Sequence, residues 1–299
     1  MLALLLGQFV SILATTTSII SQLLAQHFDT KLPITQATLG YLFLALFSSY
    51  SYLKQSHRII PWRTFFLYSV LDSCANILIV KAFQYTSISS IMLLDCFSLV
   101  VCVVLGFIVF KFRLYPIHIF GILLSLTGMV YLVVVDIPHT DAPNPLLGDL
   151  LTIVAATLYG ICNTLQEFYL ETVSPSEFCF SVGISGTFVG IFVGIFFESS
   201  LFFTTTFSGV SVSLLVMFAL ALSATYLIVP YVLTLSTAAF LNLSLLTSDC
   251  LAVFADTVFF GKPFRISSVL SLVLIVLGLA LYLLKPIKRK MDCETSPLI

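Results

Sequence analysis

Ten apolar runs follow one another along this chain, each close to the roughly 20 residues that cross a bilayer as a helix. They run from about Leu2 to Ala25, Ile34 to Leu53, Thr64 to Tyr85, Ile88 to Phe110 and Ile117 to Val135, then from Gly148 to Tyr169, Phe178 to Phe197, Val212 to Leu235, Ala238 to Phe260 and Ile266 to Leu284. Short connections join them. The pattern predicts an all-α membrane protein of ten transmembrane helices. Composition agrees. The chain is 59% hydrophobic and 9% charged, where a soluble domain carries about 25% charged residues. Its mean hydropathy is +1.12. Folded in water, it would have to leave apolar surface exposed. The first run begins at Met1, but it lacks a basic n-region and is too long for a signal h-region. Gln8, Ser11, Thr15, Thr16 and Gln22 give it a semi-polar stripe, so it reads as a helix.

Net charge is −1, which points to no class of partner. No basic patch interleaved with aromatics indicates nucleic acid. The seven cysteines are Cys74, Cys96, Cys102, Cys162, Cys179, Cys250 and Cys293. They show no Cys-x-x-Cys spacing and no Cys/His cluster, so they read as small packing residues, with no metal site and no cofactor expected.

The stretch from Thr64 to Leu99 carries Asp72, Asn76, Lys81, Gln84 and Asp95 across two consecutive spans. An ionisable residue at membrane depth costs roughly 2.5–3.5 kcal/mol, so it is rarely there without a partner or a role. The turn between the two spans centres near Ser87. Lys81 and Asp95 then lie at similar depth, roughly 10 Å below the same surface at a helical rise of 1.5 Å. Equal depth on adjacent antiparallel helices allows an ion pair between them, either a structural bridge or one that opens when solute or a proton binds. Asp72 and Asn76 are four apart and share one face. That face lines a pore or hydrogen-bonds a neighbouring helix. Asn242, Asp249 and Asp256 recur at sevens on the ninth span, and Asp249, near mid-helix, is a candidate proton or cation site. On the sixth span Tyr159, Asn163 and Gln166 share a face, with Glu167 beside them. Tyrosine and amides suit sugars or nucleobases, and suit helix packing about as well. Gly186, Gly190 and Gly194 form a small-residue row for close helix packing. Pro230 should kink the eighth span. Asn242-Leu243-Ser244 fits the glycosylation pattern but lies inside a span, so no glycan is expected.

With the N-terminus in the cytosol, that side receives Lys54, Arg58, Arg63, Lys111, Arg113, Lys285, Lys288, Arg289 and Lys290; the other side receives only Lys31, Lys262 and Arg265. The positive-inside rule therefore puts both termini in the cytosol. A pattern also repeats. Asp95-Cys96 is followed by Phe110-Lys111-Phe112-Arg113 and a helix with Gly128 and Tyr131; Asp249-Cys250 is followed by Phe260-Gly261-Lys262-Pro263-Phe264-Arg265 and a helix with Gly278 and Tyr282. Five spans per half is an odd number, so the halves enter the membrane from opposite sides. The expectation is two inverted five-helix repeats, residues 1–147 and 148–287, with a short cytosolic tail at 288–299. Inverted repeats place a solute site near the midplane.

Further strings span nearly the whole chain: Leu6-Gly7-Gln8-Phe9, Ser21-Gln22-Leu23-Leu24-Ala25, Lys81-Ala82-Phe83-Gln84-Tyr85-Thr86, Leu93-Leu94-Asp95-Cys96-Phe97, Leu158-Tyr159 and Ser174-Pro175-Ser176-Glu177-Phe178. Together they resemble the F subfamily of solute carrier family 35, within the drug/metabolite transporter superfamily. The chain departs from that pattern at Cys74, where relatives often carry glutamate, and at Gln166-Glu167, where they often carry two glutamates. The resemblance implies a ten-helix transporter.

The reading is a multi-pass secondary transporter that moves a small polar organic solute (nucleoside-, nucleotide-sugar- or vitamin-like) by alternating access. Its candidate solute or coupling residues are Asp72, Asn76, Lys81, Gln84, Asp95, Tyr159, Asn163, Glu167 and Asp249. The alternative is a non-transporting membrane receptor or regulator of the same fold. An enzyme is not expected, because the sequence contexts of intramembrane aspartyl proteases and acyltransferases are missing. So are a phosphate-binding loop and a channel filter. Glu294, Leu298 and Ile299 at the tail match an acidic dileucine sorting signal, which adaptor proteins would read. The expected partners are a small solute, the lipid bilayer, adaptors and a second copy in a homodimer. The expected membrane is an endomembrane (lysosome, vacuole or Golgi) or the plasma membrane.

Overall fold

A computed structural model describes residues 2–28, 30, 32–54, 62–82, 85, 91, 94–110, 115–136, 144–260 and 266–285. The described residues form helices and no strands. Ten are long: α1 (Leu2–His27), α2 (Pro33–Leu53), α3 (Trp62–Ala82), α4 (Phe97–Phe110), α5 (Pro116–Asp136), α6 (Pro145–Tyr169), α7 (Pro175–Phe197), α8 (Gly209–Leu235), α9 (Ala238–Phe260) and α10 (Ile266–Leu283). A short helix, Ser199–Thr204, follows α7. Among the described residues, five stretches are long and apolar enough to cross a membrane: Leu2–Ser21, Arg63–Ala82, Leu146–Tyr169, Pro175–Phe197 and Gly209–Leu235. Shorter apolar stretches are Phe97–Phe110, Pro116–Gly128, Ala238–Ser248 and Val269–Leu283. Helix α2 has the length, but Thr35, Gln36, Ser48 and three tyrosines lower its hydropathy.

Helix starts follow from local chemistry. Proline occupies the first turn of α2, α6 and α7, where a missing N–H costs nothing. The Asn144 and Ser174 side chains accept from Leu147 N and Glu177 N. Ser208 and Ser211 cap α8 reciprocally. Two caps come from distant helices. Both carboxylate oxygens of Glu198, after α7, accept from Ile34 N and Thr35 N at the start of α2, at 2.6 and 2.8 Å. Glu167 Oε2 on α6 accepts from Ala238 N at the start of α9, at 2.7 Å. In each case a carboxylate meets the positive end of a helix dipole.

Polarity is arranged inside out. Large apolar side chains such as Phe107, Phe120, Phe188 and Phe196 face outward, whereas Ser11, Thr15, Asp72, Gln166 and Asn242 are buried. Such an exterior suits hydrocarbon, where close packing and interhelical hydrogen bonds hold helices together. Helix α5 packs along α10, and α2 along α7. Helix α1 packs on α8 and α9, α6 on α3 and α4, α8 on α2, and α3 on α7. Glycine sets the closest approaches. A Cβ on Gly121 would meet the Gly278 carbonyl at 2.7 Å, and one on Gly183 would meet the Ala45 backbone at 2.6 Å. Gly186 abuts the Tyr41 ring and Gly190 abuts Thr38, as the small-residue row predicts, but Gly194 meets α2 only in ordinary contact.

Candidate functional site

A cavity of about 280 Å³ lies between α1, α3, α4, α6, α8 and α9. Thr17, Ser18 and Ser21 line it from α1; Tyr68, Asp72 and Asn76 from α3; Tyr159, Asn163 and Gln166 from α6; Thr225 and Tyr226 from α8; Asn242 and Ser248 from α9. Asp95 and Ser98 complete the wall. The helical order breaks there. Residues 94–95 are helical, Cys96 turns, and α4 begins at Phe97. The Leu99 N–H bonds the Cys96 carbonyl at 3.1 Å and the Ser98 hydroxyl bonds the Asp95 carbonyl at 2.7 Å.

Two hydrogen-bond networks meet at the cavity. In the first, Asp72 Oδ2 accepts from the Tyr41 hydroxyl, and from the Tyr226 hydroxyl at 2.5 Å. Asn76 Nδ2 donates to the Tyr226 and Tyr41 oxygens at 3.2 and 3.3 Å, and Tyr159 donates to Asn76 Oδ1 at 3.2 Å. Three helices beyond α3 therefore converge on one acidic side chain through phenols and an amide. In the second, Asn242 Oδ1 accepts from the Ser98 hydroxyl at 3.0 Å and from Asn163 Nδ2 at 3.3 Å. Asn242 Nδ2 reaches Cys102 Sγ and the Ala238 carbonyl. Tyr68 donates to Gln166 Oε1 at 3.2 Å.

Two polar atoms on the wall are buried without a hydrogen-bond partner: Asp95 Oδ1, an acceptor, and Gln166 Nε2, a donor. A buried polar group left unpaired costs about 1–3 kcal/mol. Within a cavity, such atoms are where a ligand's complementary groups would go.

The structure gathers most of the residues singled out in the sequence. Asp72, Asn76, Asp95, Tyr159 and Asn163 share one wall, and the Tyr159–Asn163–Gln166 face is the α6 lining. Lys81 does not join them. It sits exposed in the last turn of α3 and makes no ion pair with Asp95, so the expected pairing is corrected. Similar depth on adjacent helices fixes height but not rotation about the axis, and Lys81 is exposed and absent from the cavity lining. Glu167 lies behind the wall, capping α9. The backbone of Asp249 directly follows the cavity-lining Ser248, while its side chain lies outside the described residues, as do Gln84, Glu294, Leu298 and Ile299. Tyr41 and Tyr226, which hold Asp72, were not anticipated. The available signal was a mid-span phenol, which needs a polar partner once buried.

The sequence matches the family described as SLC35F, solute carrier family 35, over residues 1–284. It is 29% identical over 302 residues to solute carrier family 35 member F2 of Mus musculus, covering 97% of this chain and 80% of the mouse protein. It is 28% identical to the Xenopus tropicalis protein of the same name, covering 94% and 76%. An uncharacterized solute carrier family 35 member from Schizosaccharomyces pombe is 29% identical, covering 93% of this chain but 56% of the yeast protein. A protein solved by crystallography superposes with a TM-score of 0.77 at 16% identity, covering 94% of this chain and 98% of that one; the two share a fold.

Proposed function

This chain belongs to the SLC35F family of solute carrier family 35, membrane solute transporters, and on that premise we propose that it moves a small polar organic solute by alternating access, with the cavity as the solute site. The observation that carries the proposal is the wall itself. Six helical segments, drawn from both halves of the sequence, supply amides, hydroxyls, phenols and two carboxylates to one cavity. A folded core has no need of such a space, since burying polar groups is costly unless each is paired.

Two inverted repeats of five helices fit the packing. Exchanging each helix n with n+5 turns α1–α8 into α6–α3, α1–α9 into α6–α4, and α2–α8 into α7–α3, while α5–α10 and α2–α7 map onto themselves. All of these contacts occur. A pseudo-twofold axis of this kind lets the halves exchange conformations and open the cavity to either side in turn. Asp72 suits a coupling role, because its phenol donors come from α2 and α8, so rocking of either helix changes the groups that hold it. Both termini are proposed to be cytosolic, and the acidic dileucine tail to direct the protein to a lysosome or vacuole. Replacing Leu298 and Ile299 by alanine should then shift it to another membrane.

The test is metabolite profiling of cells lacking or overproducing the protein, followed by uptake of the altered compounds into proteoliposomes. Saturable uptake supports transport. If no compound is taken up while the protein still binds one, the receptor alternative holds instead.

A further inference from the structure

The cavity has a charge character that the family does not fix. Among the described residues its lining holds two carboxylates, Asp72 and Asp95, and no lysine, arginine or histidine. Asp72 is engaged by the Tyr41 and Tyr226 hydroxyls. Asp95 Oδ1 has no partner. It sits beside the turn at Cys96 that precedes α4. Gln166, 1% exposed, is a lining residue of the same cavity, and its amide nitrogen has no hydrogen-bond partner.

We propose that, of the solutes the transport reading allows, this cavity selects those with a cationic nitrogen and a carbonyl acceptor, the N–H⁺ group donating to Asp95 Oδ1 and the carbonyl accepting from Gln166 Nε2. This rests on the transport reading and narrows it. A carboxylate with no basic neighbour among the described residues attracts a cation and repels an anion, and charge-assisted hydrogen bonds are the stronger kind. Phosphate-bearing solutes find no arginine or lysine on the described wall and face two carboxylates. The described wall therefore favours amines or amidines over nucleotide sugars. The volume, just below the usual range for small-molecule sites, favours a compact solute of one or two rings.

Three benzamides of nearly equal size test the proposal: 3-(aminomethyl)benzamide, a cation; 3-(hydroxymethyl)benzamide, neutral; and 3-carbamoylbenzoate, an anion. Each is titrated against purified full-length protein in detergent, with binding followed by calorimetry. The expected order is cation, neutral, anion, with at least a tenfold gap between first and last. Asp95→Asn should bring cation and neutral compound within about threefold of each other. Asp95→Ser serves if the asparagine variant does not fold. Gln166→Leu should weaken all three alike. A preference for the anion, equal affinities in the wild type, an unchanged preference in both Asp95 variants, or no binding of the amine at millimolar concentration overturns the proposal. Transport is scored apart from this. Vesicles that exchange anionic metabolites refute the charge selection and leave the transport reading standing, whereas vesicles that exchange nothing refute transport.

Discussion

The thiol of Cys179 on α7 donates to the backbone carbonyl of Tyr226 on α8 at 3.4 Å. That carbonyl lies four residues before Pro230, which has no N–H to give it. The break that proline makes in α8 is thus repaired from a neighbouring helix, as it must be where water is absent. It falls at the residue whose phenol holds Asp72. Backbone interruption and acidic side chain are two parts of one site.

Cys179→Val removes the donor and leaves the carbonyl orphaned in a buried place. The expected loss is about 1–3 kcal/mol, seen as a lower unfolding temperature in detergent. Cys179→Ser, which restores a donor, should lie close to wild type. Equal behaviour of the two variants would mean that the thiol only fills space.

Tyr41→Phe and Tyr226→Phe each delete one hydrogen bond to Asp72. Bonds to a charged acceptor contribute about 1.5–3 kcal/mol each. Because both phenols serve one oxygen, the double variant should depart from additivity. Solute uptake should fall at least tenfold in each while surface expression stays near normal. Additive losses with intact uptake would reduce the cage to ordinary packing.

Glycines at close approaches should tolerate nothing larger. Gly121→Ala drives a methyl into the Gly278 carbonyl and the Tyr282 backbone, both under 3 Å away. Overpacking of this kind costs about 1–3 kcal/mol and should part α5 from α10, lowering the yield of folded protein. Gly209→Ala, with nothing within 4 Å, should be silent. Fluorescence-detected size exclusion of the two variants separates them.

The membrane class and helix order were legible because a hydrocarbon solvent leaves a strong imprint: apolar runs of fixed length between short connections. The faces of α3 and α6 were legible too, since helical spacing alone puts Asp72 with Asn76 and Tyr159 with Asn163. What periodicity could not supply was rotation between helices. It set Lys81 level with Asp95, while the fold leaves Lys81 exposed and Asp95 Oδ1 without a partner. Nor could it reveal that Tyr41 and Tyr226 turn toward Asp72, or the caps that Glu167 and Glu198 place on α9 and α2. Those depend on contacts between residues 71 and 164 positions apart, which no local pattern encodes.

Whether the central cavity carries solute is decided by exchange in proteoliposomes loaded with a total small-molecule extract, comparing wild type with Asn163→Leu and Asp95→Asn. Wild-type vesicles should exchange at least one compound saturably, and both variants should lose that exchange while eluting as folded protein. Undiminished exchange by both variants, or none by the wild type, would contradict it.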